Sequence, residues 1–122
     1  MAGSRTKFKS VLCIGTDPVQ LNLCCSLLRE NGWNVLSAGS GYDGLLQFGT
    51  GASDVAVLDV DGDGSEAALI TAEMKRLRPD VPIILTVGKA QALVEGAVQS
   101  ANVVVPRGKT CIEVLAALEK LN

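Results

Sequence analysis

The residues best suited to chemistry gather in a few short segments. Asp59-Val60-Asp61-Gly62-Asp63-Gly64 follows directly on the apolar run Val55-Ala56-Val57-Leu58. An acid placed straight after a buried run is costly to desolvate unless something partners it, so Asp59 is the first candidate for a functional carboxylate. Gly15-Thr16-Asp17 follows a second apolar run, Val11-Leu12-Cys13-Ile14. Thr86-Val87-Gly88 and Pro106-Arg107-Gly108-Lys109 follow two more, Ile83-Ile84-Leu85 and Val103-Val104-Val105. Carboxylates brought together raise one another's pKa unless a cation joins them, and oxygen-only ligand sets suit hard divalent cations. The metal candidates are therefore Asp17, Asp59, Asp61 and Asp63, and the implied cofactor is Mg²⁺, with Ca²⁺ as the alternative.

Much other chemistry is excluded. The chain of 122 residues contains no histidine, which removes serine–histidine–aspartate hydrolysis, histidine-ligated zinc and histidine phosphocarrier chemistry together. Eleven basic against thirteen acidic side chains and four aromatics leave neither a phosphate-tracking face nor a stacking platform for nucleic acid. Cys13, Cys24, Cys25 and Cys111 show no C-x-x-C spacing, and their apolar surroundings read as buried free thiols in a reducing compartment. No run approaches the roughly 20 apolar residues of a membrane span. The expectation is one cytoplasmic domain over 1–122, with 1–9 a loosely ordered extension.

Fixed positions for these residues require fixed elements. The four apolar runs are continuous rather than alternating, the pattern of parallel strands buried on both faces. Trp33–Ala38 is a fifth, edge-like candidate. Helical signals lie between them. Asp17 is an N-cap, Pro18 a first helical residue, Gln20 a capping-box partner and Gly32 a stop, with Leu23, Leu27 and Leu28 on one face. Further helices are expected over 42–48, over 65–77 with Leu69, Ile70, Met74 and Leu77 inward, and over 90–100. A last one opens with a capping box at Thr110-Cys111-Ile112-Glu113 and turns Ile112, Leu115, Leu118 and Leu121 inward. Strict strand–helix alternation demands right-handed crossovers and a parallel sheet covered on both faces. The expected architecture is α/β: a doubly wound, three-layer, flavodoxin-like fold with a five-stranded sheet in order 2-1-3-4-5, binding ligands beyond the carboxyl ends of its strands.

The arrangement resembles the receiver domain of bacterial two-component response regulators over nearly the whole chain. The matching text is Val11–Pro18, Asp54–Asp59, Pro82–Thr86 and Ser100-Ala101. The resemblance implies a signalling phosphoacceptor rather than an enzyme. Asp59 would take a phosphoryl group from a histidine kinase or phosphotransfer protein, with Mg²⁺ beside it. Thr86 or Val87 would stand at the switch hydroxyl position and Arg107 at the lysine position. A downstream partner, or a weak homodimer, would use the fourth helix, the fifth strand and the fifth helix. The sequence also departs from the pattern: the family's acidic pair falls on Gly15 and Thr16, and the loop after Asp59 is acidic and glycine-rich. A degenerate receiver that binds a partner without phosphorylation is the alternative reading. The D-x-D-x-D-G stretch also resembles half of an EF-hand loop, and Val57–Gly62 the nucleophile motif of haloacid-dehalogenase-type phosphatases. Position 12 of such a loop would be Ile70, and the phosphatase motif belongs on a first strand. Asp17 as a cap, Asp61 and Asp63 as turn formers, and Lys109 as a solvated charge are the purely structural readings.

Overall fold

A computed structural model describes residues 8–88, 101–108 and 111–122. The apolar runs form five strands: β1 (Ser10–Ile14), β2 (Asn34–Ala38), β3 (Val55–Asp59), β4 (Ile83–Val87) and β5 (Val103–Pro106). They pair in parallel in the order β2-β1-β3-β4-β5. Four helices are described: α1 (Pro18–Glu30), α2 (Gly41–Phe48), α3 (Ser65–Leu77) and α4 (Ile112–Leu121). The helix expected over 90–100 lies outside the described residues, as do residues 1–7, 109 and 110.

Successive strand residues face opposite sides of the sheet, and each side has its own core. Leu12, Ile14, Leu58 and Leu85 pack with Phe48 of α2 and Ile70 and Met74 of α3. Val11, Cys13 and Val57 pack with Cys25 and Leu28 of α1 and with Val114 and Leu118 of α4. This is the expected three-layer, doubly wound arrangement.

The helices bury different stripes from those the leucines suggested. α1 turns Cys24, Cys25 and Leu28 inward and leaves Leu23 exposed. α3 uses Ala67, Ile70, Thr71 and Met74, so Leu69 and Leu77 point outward. Thr71 tolerates its burial because its hydroxyl donates to the Ala67 carbonyl at 2.9 Å. α4 buries Val114, Ala117 and Leu118 and exposes Ile112. Small residues set these stripes because they let a helix lie close to the sheet, a criterion that hydrophobic periodicity does not weigh.

Local signals fared better at the first helix. The Asp17 carboxylate accepts from the amides of Val19 at 3.0 Å and Gln20 at 3.3 Å, and Gly32 ends the turn at φ 91°. Gln20 does not close a capping box, since its amide donates to the Gly108 carbonyl at 3.1 Å. α4 has no side-chain cap; Cys111 precedes it in the left-handed region at φ 60°. Gly44, a weak helix former, permits close approach of α2 to the sheet: a Cβ there would lie 2.5 Å from Ile14 Cδ1. Residues 8 and 9 are tied down, Phe8 N donating to Asn122 Oδ1 at 2.7 Å and Lys9 N to Asp54 Oδ2 at 2.8 Å.

Candidate functional site

β1 and β3 lie side by side with Ile14 opposite Leu58, and the connections that leave them run to opposite faces of the sheet. That divergence is the topological switch point, where the open end of a doubly wound sheet forms a crevice. Asp59 stands there as the last residue of β3.

Register then decides its partners. Asp59 is paired with Thr86 of β4, and the Thr86 hydroxyl donates to Asp59 Oδ1 at 2.7 Å. Thr86 is buried, so the bond satisfies a group that would otherwise be costly there. This assigns the hydroxyl beside Asp59 to Thr86 and not to Val87, whose place in the ladder is opposite Pro106. One step beyond β5, Arg107 reaches back across β4. Its Nε donates to the same Oδ1 at 2.6 Å and its Nη2 to the Val60 carbonyl at 2.6 Å. The side chains of Arg107 and Asp59 are 34% and 21% exposed, so the ion pair is sheltered but open to an incoming group.

Both donors converge on Oδ1. The other oxygen, Oδ2, lies toward Gly15, where an added Cβ would stand 4.0 Å from it and 3.5 Å from Asp59 Cβ. The glycine keeps that side of the carboxylate approachable. The adjoining cleft is lined by Gly15, Gln20, Leu21, Cys24 and Arg107 and encloses about 40 Å³. Metabolite pockets run to roughly 300 Å³ or more, so this one is too small to enclose a bound substrate.

The four metal candidates do not converge. Among the described residues no group of three or more acidic, cysteine or histidine side chains is placed to hold a metal ion. Each of the other acids is engaged by another group. Asp17 caps α1. Asp61 accepts the Thr16 hydroxyl at 2.7 Å, and Asp63 accepts the Ser65 amide at 2.9 Å and hydroxyl at 2.6 Å. Those Ser65 bonds hold the Asp63 carboxyl below its usual pKa, hydroxyl first. Short polar side chains in a glycine turn bond their own neighbours, and the positive φ of Gly62 and Gly64 folds the loop to allow it. An EF-hand-like cage is therefore not formed.

Two features escaped the sequence. Cys24 of α1 and Cys111 are joined in a disulfide across 87 positions, correcting the expectation of four free thiols. Neither residue has a spacing signal, because the bond depends on α1 and the start of α4 meeting on one face of the sheet. Cys13 and Cys25 are free and buried. Their mutual hydrogen bond pulls Cys25 down to about 7, with help from Arg29, and pushes Cys13 well above the ordinary thiol value. The second feature is Gln20, whose bond to Gly108 links α1 to the segment that carries Arg107.

No protein-family model matches the sequence. The chain is 28% identical over 80 residues to the "Probable transcriptional regulatory protein TcrX" of Mycobacterium tuberculosis, a match covering 66% of this chain and 34% of that protein. It thus spans about a third of that relative's length. Among solved structures it resembles the response regulator TrrA of Thermotoga maritima in complex with Mg²⁺-BeF, at TM-score 0.83 and 23% identity over 93% of this chain and 99% of that one. TrrA bound to the histidine kinase ThkA matches at TM-score 0.80, over 93% of this chain and 97% of that one. A CheY-like receiver domain of Methanospirillum hungatei also matches at 0.80, with 19% identity and 94% of each chain covered. The sheet order, the helices on both faces and the acid at the end of β3 together give this chain the fold of the response regulator receiver domains.

Proposed function

We propose that this chain is a receiver module that accepts a phosphoryl group on Asp59 from a phosphohistidine of a kinase or phosphotransfer protein. The observation that carries the reading is the convergence of the Thr86 hydroxyl and the Arg107 guanidinium on one oxygen of a strand-end aspartate. In the transfer, an Asp59 oxygen forms the new P–O bond as the donor's P–N bond breaks, and the nitrogen of the leaving imidazole keeps the electron pair. Such transfer needs position and charge stabilisation more than covalent help. β3 fixes the nucleophile, Oδ2 is open past Gly15, and Thr86 and Arg107 stand ready to pass from the carboxylate to phosphoryl oxygens.

Mg²⁺ fits this site as a lightly held ion. It is often bound through one or two carboxylates and the phosphate itself, with water in the remaining places. Asp59 is the residue that would hold it, joined by Asp61 once its carboxylate gives up the Thr16 hydroxyl; Asp17 and Asp63 are committed to backbone amides of their own turns. When bound, the ion offsets negative charge on the transferring phosphoryl oxygens. The partners on this reading are a phosphohistidine donor and a downstream protein, the latter meeting the face that includes β5 and α4. No helix among the described residues is long and apolar enough to cross a membrane. A cytoplasmic setting follows from the proposed partners.

Incubation with acetyl phosphate and Mg²⁺ tests the proposal. Intact mass should rise by about 80 Da, the mass of one phosphoryl group, and Asp59→Asn should not shift. No adduct at any Mg²⁺ concentration overturns it. One observation favours a second reading, a module that binds its partner unphosphorylated: Arg107 already neutralises Asp59. Asp59→Asn would then leave partner binding unchanged.

A further inference from the structure

We propose that the Cys24–Cys111 disulfide is a reversible latch that keeps Arg107 seated on Asp59, so that phosphoryl uptake responds to the thiol–disulfide state of the protein. The proposal builds on the reading of Asp59 as phosphoacceptor, but its geometry is independent of that reading.

Arg107 and Gly108 leave the end of β5, and Cys111 opens α4 four positions after Arg107. Besides the backbone bond from Arg107 N to the Val87 carbonyl at 2.7 Å, three ties hold these residues to the rest of the site. Arg107 binds Asp59 and the Val60 carbonyl, Gln20 of α1 donates to the Gly108 carbonyl at 3.1 Å, and Cys24 of α1 is bonded to Cys111 with their Cα atoms 5.4 Å apart. The first is a solvent-accessible ion pair and the second a single neutral hydrogen bond. Only the disulfide fixes the start of α4 covalently to α1.

Cys111 adds a second, independent sign of constraint. It is the one described non-glycine residue with positive φ, at 60°. Such strain persists only where surrounding structure over-determines the backbone, and it clusters at switch and ligand-clamp positions. The bond to Cys24 supplies that over-determination. With the bond open, nothing covalent opposes a return of Cys111 to ordinary backbone angles. On this proposal that return loosens the seat of the Arg107 side chain on Asp59, while the Arg107 amide stays on the Val87 carbonyl. The Cys24–Cys111 pair also lines the cleft that opens beside Asp59.

A purely structural staple is the competing role. In a reducing cytoplasm, disulfides that persist as staples are uncommon, and those observed are mostly redox-active. The reaction is ordinary exchange. The Cys24 and Cys111 thiols give two electrons and two protons to a low-molecular-weight disulfide, which leaves as two thiols, and reduction by a dithiol reverses this.

The experiment uses the full chain, equilibrated in glutathione buffers from fully reduced to fully oxidised, with the state of Cys24 and Cys111 read by alkylation and peptide mass. Labelling by acetyl phosphate with Mg²⁺ is followed by intact mass, and the Arg107 Nε–H by NMR. The oxidised protein should label faster by up to about a hundredfold, the scale expected when a positioning group is misplaced by about an ångström. Its Nε–H should be the more protected from solvent exchange. Cys24→Ser and Cys111→Ser should match the reduced wild type and ignore the buffer. Should either variant fail to fold, reversible cycling of the wild type carries the test. Equal labelling and equal Nε–H protection in both states overturns the latch, as does a bond that forms in no buffer. If neither state labels, the phosphoacceptor reading fails, and the Nε–H comparison alone decides for or against the latch.

Discussion

Asp59→Asn should destabilise this protein, and the sign is the informative part. Where an aspartate sits among other unpaired acids, removing its charge relieves repulsion and stabilises the fold. Here no acidic cluster forms among the described residues, and Asp59 instead shares its Oδ1 with Arg107 Nε at 2.6 Å and the Thr86 hydroxyl at 2.7 Å. Opposite charges about 4 Å apart attract by roughly 4 kcal/mol at an effective dielectric of about 20. Desolvation and screening take back much of that for a guanidinium 34% exposed. A charge-assisted hydrogen bond in such a place nets about 1–2 kcal/mol.

The assay is urea unfolding of the oxidised protein as a double-mutant cycle over Asp59→Asn and Arg107→Gln. Each single variant should lose about 1–2 kcal/mol, and the double variant less than the sum, leaving a coupling of about 1 kcal/mol. Added salt should shrink that coupling as screening grows. A stabilised Asp59→Asn, or a coupling indistinguishable from zero, would refute the reasoning that Arg107 is the counter-ion of the resting site.

Four other outcomes follow from single observations. Thr86→Val leaves Oδ1 with one donor and should cost about 1 kcal/mol while slowing acetyl-phosphate labelling, whereas Thr86→Ser should largely restore the rate. Gly15→Asp places a second carboxylate on the Oδ2 side of Asp59 and should tighten Mg²⁺ binding about tenfold by calorimetry; an unchanged affinity would mean that Oδ2 is not the metal-facing oxygen. Gly44→Ala gains about 0.5–1 kcal/mol of helix propensity but drives a methyl into Ile14. A net loss of about 1 kcal/mol in urea should result, since overpacking a filled core costs about 1–3 kcal/mol. Cys25 is held near 7 in the folded protein against an ordinary 9, so the folded state carries its thiolate over a window in which the unfolded state is still protonated. Stability in urea should therefore rise from about pH 7 to about pH 9 and fall away below it, and Cys25→Ser should flatten the rise.

The layers of this fold were readable because burial on both faces leaves four short unbroken apolar runs, too short for helices, separated by helix-length segments. Asp59 was readable for a related reason, as a charge set against a run that must be dry. The hydroxyl was ambiguous by one residue, because a shortened loop after Asp59 shifts the match between Thr86 and Val87; the pairing and hydrogen bond of Thr86 with Asp59 place the hydroxyl at Thr86. Convergence of the acids was misjudged because Asp17 and Asp63 each had a nearer partner in their own turn, and Asp61 accepts the Thr16 hydroxyl from the loop after β1. The helix faces were misjudged through leucine, while Ala67, Thr71, Cys24 and Cys25 carried the actual contacts.

The acids first suggested a site built around a metal, yet among the described residues the Arg107 guanidinium already pairs with Asp59. That changes what the resting state is. Arg107 neutralises the carboxylate before any phosphoryl group arrives, and a phosphorylated Asp59 would present more negative charge to the same guanidinium and the same hydroxyl. The donors need not be recruited from solvent; they have only to slide from carboxylate to phosphoryl oxygen. The movement available to report the event is therefore small and falls on Arg107. Arg107 stands four residues before the residue whose backbone is strained and whose sulfur is tied to α1. On the proposed latch, a charge rearrangement at Asp59 and a thiol–disulfide rearrangement at Cys111 act on the same few residues, and whatever coupling the labelling assay finds in one direction must hold for binding in the other.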